Sequence, residues 1–321
     1  MDQTVPTKER PKWLAFLIYI VDGFLMGLGN VIPGVSGGTL ALLLGVYEKM
    51  IGAISNLFKK FKESIFVVLP ILIGVAVAFV VLSRPVTYCL DNFLFATIML
   101  FFGAVIGGLP MLFQKIKGQK TTAACVLIFC ITFALTIGLL FLMKVGTARD
   151  LTSITAGKAI LWFFLGAVAA ATMVIPGVSG SAFLMTIGYY EPVMSLVKDL
   201  TAPGGNHGHD VVVLVIWGVG IVAGILSIAK LIELLLKKYE TKTYWGIIGF
   251  VIASAIAIVV QNFFMVNTSN VEAMQAVDST LSVGQFISPA LTLGGTSPLQ
   301  YVVGVLLAVG GFFLAYKLGD K

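Results

Sequence analysis

The segment Val-Ile-Pro-Gly-Val-Ser-Gly occurs twice in this chain, at residues 31–37 and again at 174–180, each time in the middle of a long apolar region. Seven identical consecutive residues are hard to obtain by chance, so the chain reads as a duplication. The same offset of 143 pairs Gly23 with Gly166, Gly45 with Gly188, Tyr47 with Tyr190 and Glu48 with Glu191. An offset of 146 pairs Gly74 with Gly220, Arg84 with Lys230 and Gly103 with Gly249, the extra residues falling in the loop around 202–209. Within each copy, proline removes a backbone donor and clashes with the preceding turn, and glycine frees the next residue from helical geometry. The regions 13–58 and 157–197 are therefore each expected to form two shorter helices joined by a non-helical elbow. At membrane depth such an elbow is tolerated only where protein or water satisfies its backbone.

That these regions lie in a membrane follows from composition. Hydrophobic residues make up 58% of the chain and charged residues 11%, against about 25% charged in an ordinary soluble domain. So few charges cannot cover a chain of 321 residues, and lipid must solvate much of its surface. Six further segments, about 64–84, 92–112, 121–143, 211–236, 243–262 and 299–316, are long and apolar enough to span a bilayer, for which about 20 residues suffice. Lys8, Arg10 and Lys12 before the first apolar run imitate a signal peptide, but the run holds Asp22 and lacks a small-residue cleavage site, so it is expected to be retained. The stretch 263–298 is polar and nearly uncharged and should be an outside loop, partly folded; His207 and His209 should be solvated loop histidines. Cys89, Cys125 and Cys130 show no C-x-x-C spacing and read as small buried apolar residues, with no disulfide framework.

The expected architecture is all-α and polytopic: a first membrane repeat over 13–145 and a second over 157–318 within one membrane domain. Each repeat is a Pro-Gly-broken, re-entrant helical hairpin followed by three transmembrane helices. With the N-terminus inside, Lys59, Lys60, Lys62, Lys115, Lys117, Lys120, Lys237, Lys238, Lys242, Lys317 and Lys321 join the N-terminal basic residues on the inside. Only Arg84, Lys144, Arg149, Lys158 and Lys198 fall outside. An odd number of crossings per repeat turns the second copy upside down, the inverted plan of many secondary transporters. Two full crossings by each hairpin would leave that parity unchanged. The net charge of +6 follows these loops rather than one face, which argues for orientation signals and against nucleic acid.

Chemistry is expected first at the elbows: Pro33, Gly34, Val35, Ser36, Gly37, Gly38 and Thr39 in one copy, Pro176, Gly177, Val178, Ser179, Gly180 and Ser181 in the other. A glycine-rich turn opening a helix exposes backbone N–H groups at the positive end of the helix dipole, and the hydroxyls add donors. That describes a cradle for phosphate or carboxylate; close packing of small residues is the plainer alternative. Charges inside apolar stretches are costly and by default mark a pathway. Glu48, Glu191 and Asp22 are candidate proton-coupling sites, since low dielectric favours the neutral carboxyl. Helix capping, or pairing with a lysine such as Lys49, is the other reading of the two glutamates. Arg84 and Lys230 are candidate guides for an anionic headgroup, or snorkelling side chains. Lys230, Glu233 and Lys237 also stand at i,i+3 and i,i+4 spacing, which suits a local ion-pair ladder. No metal-ligand cluster, P-loop or nucleophile beside a histidine is present in the sequence, so neither a cofactor, a metal nor an enzyme activity is expected. Gly103 and Gly107 should serve helix packing.

The paired V-I-P-G-V-S-G motifs, each followed by G-x-Y-E, resemble the polyprenyl-phosphate transporter (PopT) family of bacteria, from about Asp22 to Lys317. The resemblance implies a multi-pass protein of the cytoplasmic membrane, with both termini cytoplasmic, that returns undecaprenyl phosphate from the outer to the inner leaflet for reuse in cell-wall synthesis. It places the substrate site at Pro33 to Thr39 and Pro176 to Ser181. The second copy has Ser181 and Ala182 where the first has Gly38 and Thr39. From the residues alone the ligand is an anionic headgroup, and a carrier or channel for a small soluble anion is the rival; a membrane-bound lipid phosphatase lacks its catalytic set.

Overall fold

The computed structural model describes residues 11–31, 36–142, 151, 153–178, 183–184, 187–189, 192–193, 195–196, 207–266, 274–276, 278, 280–281 and 285–319. The helices are α1 (Lys12–Val31), α2 (Gly37–Leu43), α3 (Tyr47–Ser55), α4 (Phe61–Asn92), α5 (Leu94–Lys115), α6 (Ala123–Leu142), α7 (Ala156–Val174), α8 (His207–Phe263), α9 (Pro289–Leu293) and α10 (Pro298–Gly319). No β-strand occurs among the described residues; one isolated bridge joins Met265 to Phe286. Among the described residues, six helices are long and apolar enough to cross a membrane. All six uninterrupted spans read from the sequence are helical. Those at 211–236 and 243–262 are the two limbs of α8, which breaks at Tyr239 (φ −136°, ψ 45°) between the lysines that flank it.

The broken regions differ from the expectation of two short helices about one elbow. The first limb is full length in both copies: α1 has 20 residues and α7 has 19, about 30 Å of helix each at 1.5 Å per residue. The proline sets where they stop. A residue preceding proline is pushed out of the helical region, and Ile175, before Pro176, is extended at φ −72°, ψ 122°. The return limb carries a second break that the Pro-Gly reading did not include. α2 and α3 meet at 118°, with Gly45 between them at φ +69°, in the left-handed region that glycine enters without a Cβ penalty. Gly188, 143 residues on, has φ +77°.

Other duplicated positions also make matching contacts. The Val46 N–H reaches the Ala41 carbonyl at 3.0 Å, and the Tyr189 N–H reaches that of Leu184 at 3.0 Å. A methyl group at Gly23 would lie 2.1 Å from the Ile71 oxygen, and one at Gly166 would lie 2.7 Å from that of Trp217. Conversely, Gly74 abuts Ile20 and Gly220 abuts Phe163. The α1–α4 crossing and the crossing of α7 with the first limb of α8 thus use equivalent glycines to bring backbones together, as small residues do in lipid. Farther along, Gly103 and Gly107 of α5 meet Ala308 and Phe312 of α10, while Gly249 of α8 meets Phe129 of α6. Helices from the two halves of the chain are therefore exchanged across the bundle.

The buried core gathers around Tyr47 and Ile51 of α3, Ile98, Val105 and Leu112 of α5, and Ile248, Val251 and Ile258 of α8. Large apolar side chains such as Val80, Leu306 and Leu127 are exposed on the outside, as a lipid-facing surface requires. The stretch after α8 is folded where described: the Val266 N–H bonds to the Gln285 carbonyl at 2.9 Å, and Val266, Met274 and Leu281 form a small core of their own. His209 departs from the expected solvated loop. It lies in the first turn of α8, half-buried, with Nδ1 3.1 Å from the carboxylate of the buried Asp210.

Candidate functional site

The two elbows come together. Asn30, in the last turn of α1, accepts from the Gly37 N–H at 2.8 Å and so holds the start of α2. The N–H groups of Thr39 and Leu40 return to the Ser36 carbonyl at 3.0 and 3.3 Å. Thr39 is fully buried, and its Oγ1 accepts from the Gly177 N–H of the second elbow at 2.8 Å. The Tyr47 hydroxyl, also buried, donates to the Val174 carbonyl at 3.2 Å. Gly38 faces that carbonyl so closely that an added methyl would stand 3.1 Å from its oxygen. Gly177 has φ +81°, and a Cβ there would lie 2.4 Å from the Phe250 oxygen on α8. Pro176, Gly177 and Val178 are all buried.

Several expected donors are thus already engaged in joining the elbows to each other and to α1. Ser36 is different. Its Oγ is buried and has no hydrogen-bond partner, which for a hydroxyl removed from water costs free energy unless a ligand or water supplies one. Of the other predicted elbow residues, Pro33, Gly34, Val35, Ser179, Gly180 and Ser181 lie outside the described residues, as does Glu191.

Three of the predicted charged residues, Glu48, Lys230 and Glu233, are gathered elsewhere, at the end of the bundle where α3, α5 and the α8 break meet. Glu48 accepts from Lys115 Nζ at 2.8 Å and from the Tyr244 hydroxyl; the Lys115 ammonium stands 5.9 Å from the Tyr244 ring centroid. The partner of Glu48 is therefore Lys115 of α5 rather than the adjacent Lys49. Glu233 is buried and accepts from Lys230 at 2.8 Å, Lys237 at 2.6 Å, Asn56 at 3.0 Å and the Ser55 hydroxyl. The ladder expected along α8 is present, and it also ties α8 to the end of α3. Lys230 is committed to that ladder. Arg84 is exposed and lies two residues beyond the apolar part of α4, which ends at Leu82. Thr241 donates to Gln119 at 2.5 Å, so the loop before α6 joins the same end.

Asp22 stands apart from both groups. It is half-buried on α1 and lines, with Lys49, a cavity of about 970 Å³ between α1 and the α2–α3 turn. Asn30, Lys115, Tyr244, Ser55 and Asn56 were not among the sequence candidates. Each contacts a motif residue or a candidate charge only through the fold. No group of three metal-ligating side chains occurs among the described residues.

These features define a multi-pass helical membrane protein whose two glycine-rich elbows meet inside the bundle. The chain belongs to the undecaprenyl phosphate translocase-like (VCA0040-like) family, whose model matches residues 26–275. It is 33% identical over 251 residues to the polyprenyl-phosphate transporter of Staphylococcus aureus (strain NCTC 8325 / PS 47), covering 77% of this chain and 86% of that protein. It is 26% identical over 258 residues to the polyprenyl-phosphate transporter of Vibrio cholerae serotype O1 (strain ATCC 39315 / El Tor Inaba N16961), covering 76% and 77% respectively. No solved structure matches the chain.

Proposed function

We propose that this protein carries undecaprenyl phosphate from the outer to the inner leaflet of the cytoplasmic membrane, returning the lipid for another round of cell-wall synthesis. The headgroup crosses at the junction of the elbows, Pro33 to Thr39 and Pro176 to Ser181, while the isoprenoid tail stays in lipid. The observation that carries this reading is the meeting of the two motifs through Thr39 and Gly177 beside the buried, unpartnered Ser36 hydroxyl. A phosphate monoester needs hydrogen-bond donors, and a donor without a partner inside a bundle is where one would be received. The names of the two relatives support the substrate class, and the reading involves no catalytic step.

The two halves, 13–145 and 157–318, act as inverted repeats, and alternating access is their rocking about the elbows. Support comes from the equivalent glycine crossings and from the exchange of α5 and α6 with helices of the other half. The clustering of Lys59, Lys115, Lys117, Lys237 and Lys238 near one end suits a cytoplasmic face there, with both termini on the same side. Glu48, Glu191 and Asp22 are the candidate proton sites. Glu48 sits in a network of Lys115 and Tyr244, so taking up a proton would loosen one latch between α3, α5 and α8.

The test is flipping of a polyprenyl phosphate by the purified protein in proteoliposomes, read by access of an impermeant reagent to the headgroup. Protein-dependent flipping, faster under an inward proton gradient and insensitive to that gradient in Glu48→Gln or Glu191→Gln, is the expected result. Absence of flipping by folded protein, with anion flux in vesicles lacking the lipid, would overturn it in favour of a soluble-anion carrier. Flipping with full gradient dependence in both glutamine variants would remove those glutamates from the coupling.

A further inference from the structure

We propose that the cavity between α1 and the α2–α3 turn is the side exit through which the lipid reaches the inner leaflet, where Lys49 holds the phosphate headgroup and the tail lies along the exposed face of α1. The proposal rests on the transport reading above and adds to it where the substrate leaves: Leu14, Met111 and Leu318 of the cavity adjoin Lys12, Lys115 and Lys317 at the end taken as cytoplasmic. The cavity, about 970 Å³, is walled by α1 and by Leu44, Gly45 and Val46 of the turn, with Met111 of α5 and Leu318 of α10 closing it. That is at the upper end of the range usual for small-molecule sites, about 300–1,000 Å³. Its rim on α1 includes Leu17 and Val21, which are 49% and 56% exposed. In a membrane those side chains face lipid, so the cavity opens sideways into the bilayer.

The lining is apolar apart from Tyr19, Asp22 and Lys49. Lys49 forms no ion pair with a described residue; its ammonium lies over the Tyr19 ring, 5.7 Å from the centroid. The neighbouring Glu48, which could have neutralised it, is turned away to Lys115 and Tyr244. Successive residues on a helix point in different directions, so these two adjacent charges leave the first turn of α3 apart, one towards the bundle and one towards the cavity. A cation within an apolar region, held by a tyrosine ring and the longer-range attraction of Asp22 but by no ion-pair contact, marks a pathway, and charge complementarity selects an anionic headgroup. Asp22 faces the same space and opposes an anion. It keeps Lys49 from binding every passing phospholipid tightly and helps release a headgroup that arrives past Gly45 and Met111, which also border the neighbours of Glu48.

The experiment uses the full chain in lipid nanodiscs with a short-chain polyprenyl phosphate carrying a diazirine beside its phosphate, followed by peptide mapping. Labelling is expected on α1 around Leu17 to Asp22 and on α3. It should weaken about tenfold in Lys49→Ala, in keeping with loss of a charged hydrogen bond, and persist in Lys49→Arg. In Asp22→Asn it should strengthen by about threefold, the scale of one partly exposed charge. Unlabelled polyprenyl phosphate should compete, whereas the uncharged polyprenol and inorganic phosphate should not. Equal labelling of Lys49→Ala overturns the proposal, as does competition by polyprenol, which would leave only an apolar groove. Competition by inorganic phosphate also overturns it, in favour of a free-anion site. Flipping measured on the same purified proteins in proteoliposomes separates the two readings: transport without label at α1 and α3 sinks the exit alone. Label without transport keeps the headgroup site and sinks the transport reading.

Discussion

The elbow junction and the charged end of the bundle both hold α3 and α8, but by opposite means. At the junction there is no charge: Thr39 meets Gly177, Tyr47 meets Val174, and glycines let backbones approach within the space of a missing methyl. At the charged end Glu48 and Glu233 between them collect Lys115, Lys230 and Lys237 with three neutral donors. Packing of the first kind has no slack, because overlap of a methyl with backbone rises steeply with displacement. Contacts of the second kind stretch, exchange partners and respond to protonation. A fixed pivot beside a breakable latch is what a rocking mechanism requires, and each region can be tested by changes that affect the other little.

The largest effect is expected from Gly177→Leu. A left-handed φ of +81° combined with a Cβ 2.4 Å from the Phe250 oxygen leaves no room for any side chain, and strain with overpacking together costs several kcal/mol, roughly 3 or more. Loss of transport and a much lower melting temperature in detergent should follow, with membrane insertion intact. A normally stable, active Gly177→Leu would mean that the pivot is not there.

Next comes Glu233→Ala. It leaves Lys230 and Lys237 without their counter-charge and unpairs Ser55 and Asn56, separating α3 from α8. The lysine side chains are 44% and 71% exposed, so water screens them, and the loss should be about 1–3 kcal/mol rather than that of a fully buried pair. Salt should narrow the gap between wild type and variant in thermal melts, whereas the Gly177→Leu deficit should be indifferent to salt. A salt-independent Glu233→Ala deficit would show that packing, not charge, holds that end.

Thr39→Val is nearly isosteric and removes the acceptor of the Gly177 N–H. A buried amide left without a partner costs about 1–3 kcal/mol, while Thr39→Ser should be close to wild type. Equal stability of the valine and serine variants would show that the two elbows are not joined by this hydrogen bond.

What could be read from the sequence divides along similar lines. The uninterrupted spans were legible because twenty apolar residues have few alternatives, and the end of α7 was legible because proline restricts the residue before it. The bend at Gly45 was not, although Gly45 and Gly188 stood out as a duplicated pair. A lone glycine in an apolar run is more often packing than a turn, and only φ tells them apart. The charges were found, and with them the Lys230–Glu233–Lys237 ladder within α8, but not the partners on other helices. Lys49 is adjacent to Glu48 and reads as its partner, yet successive residues on a helix point in different directions, and Lys115 arrives from a helix 67 residues away. Asn30 was passed over because its task, holding the Gly37 N–H, is defined by a chain reversal that no periodicity announces. In the second copy the equivalent position is Met173. The duplicated motif therefore did not imply duplicated surroundings.

The smallest effect on stability, and the sharpest separation of holding the fold from holding the headgroup, is expected for Ser36→Ala. Thr39 and Ser36 are both buried hydroxyls of the first elbow, three residues apart, but only Thr39 has a partner. Removing a partnered hydroxyl costs stability. Removing an unpartnered one relieves a desolvation penalty and should leave the melting temperature unchanged or slightly higher, by up to about 1 kcal/mol. If the Ser36 Oγ awaits the phosphate, the same variant should flip polyprenyl phosphate several-fold more slowly, a loss of one hydrogen bond to a charged group. A stable Ser36→Ala that transports at the wild-type rate would reduce the first elbow to a pivot and leave headgroup binding to the second. Lower stability with normal transport would mean that Ser36 has a structural partner after all. Only stability kept with transport lost assigns the hydroxyl to the substrate.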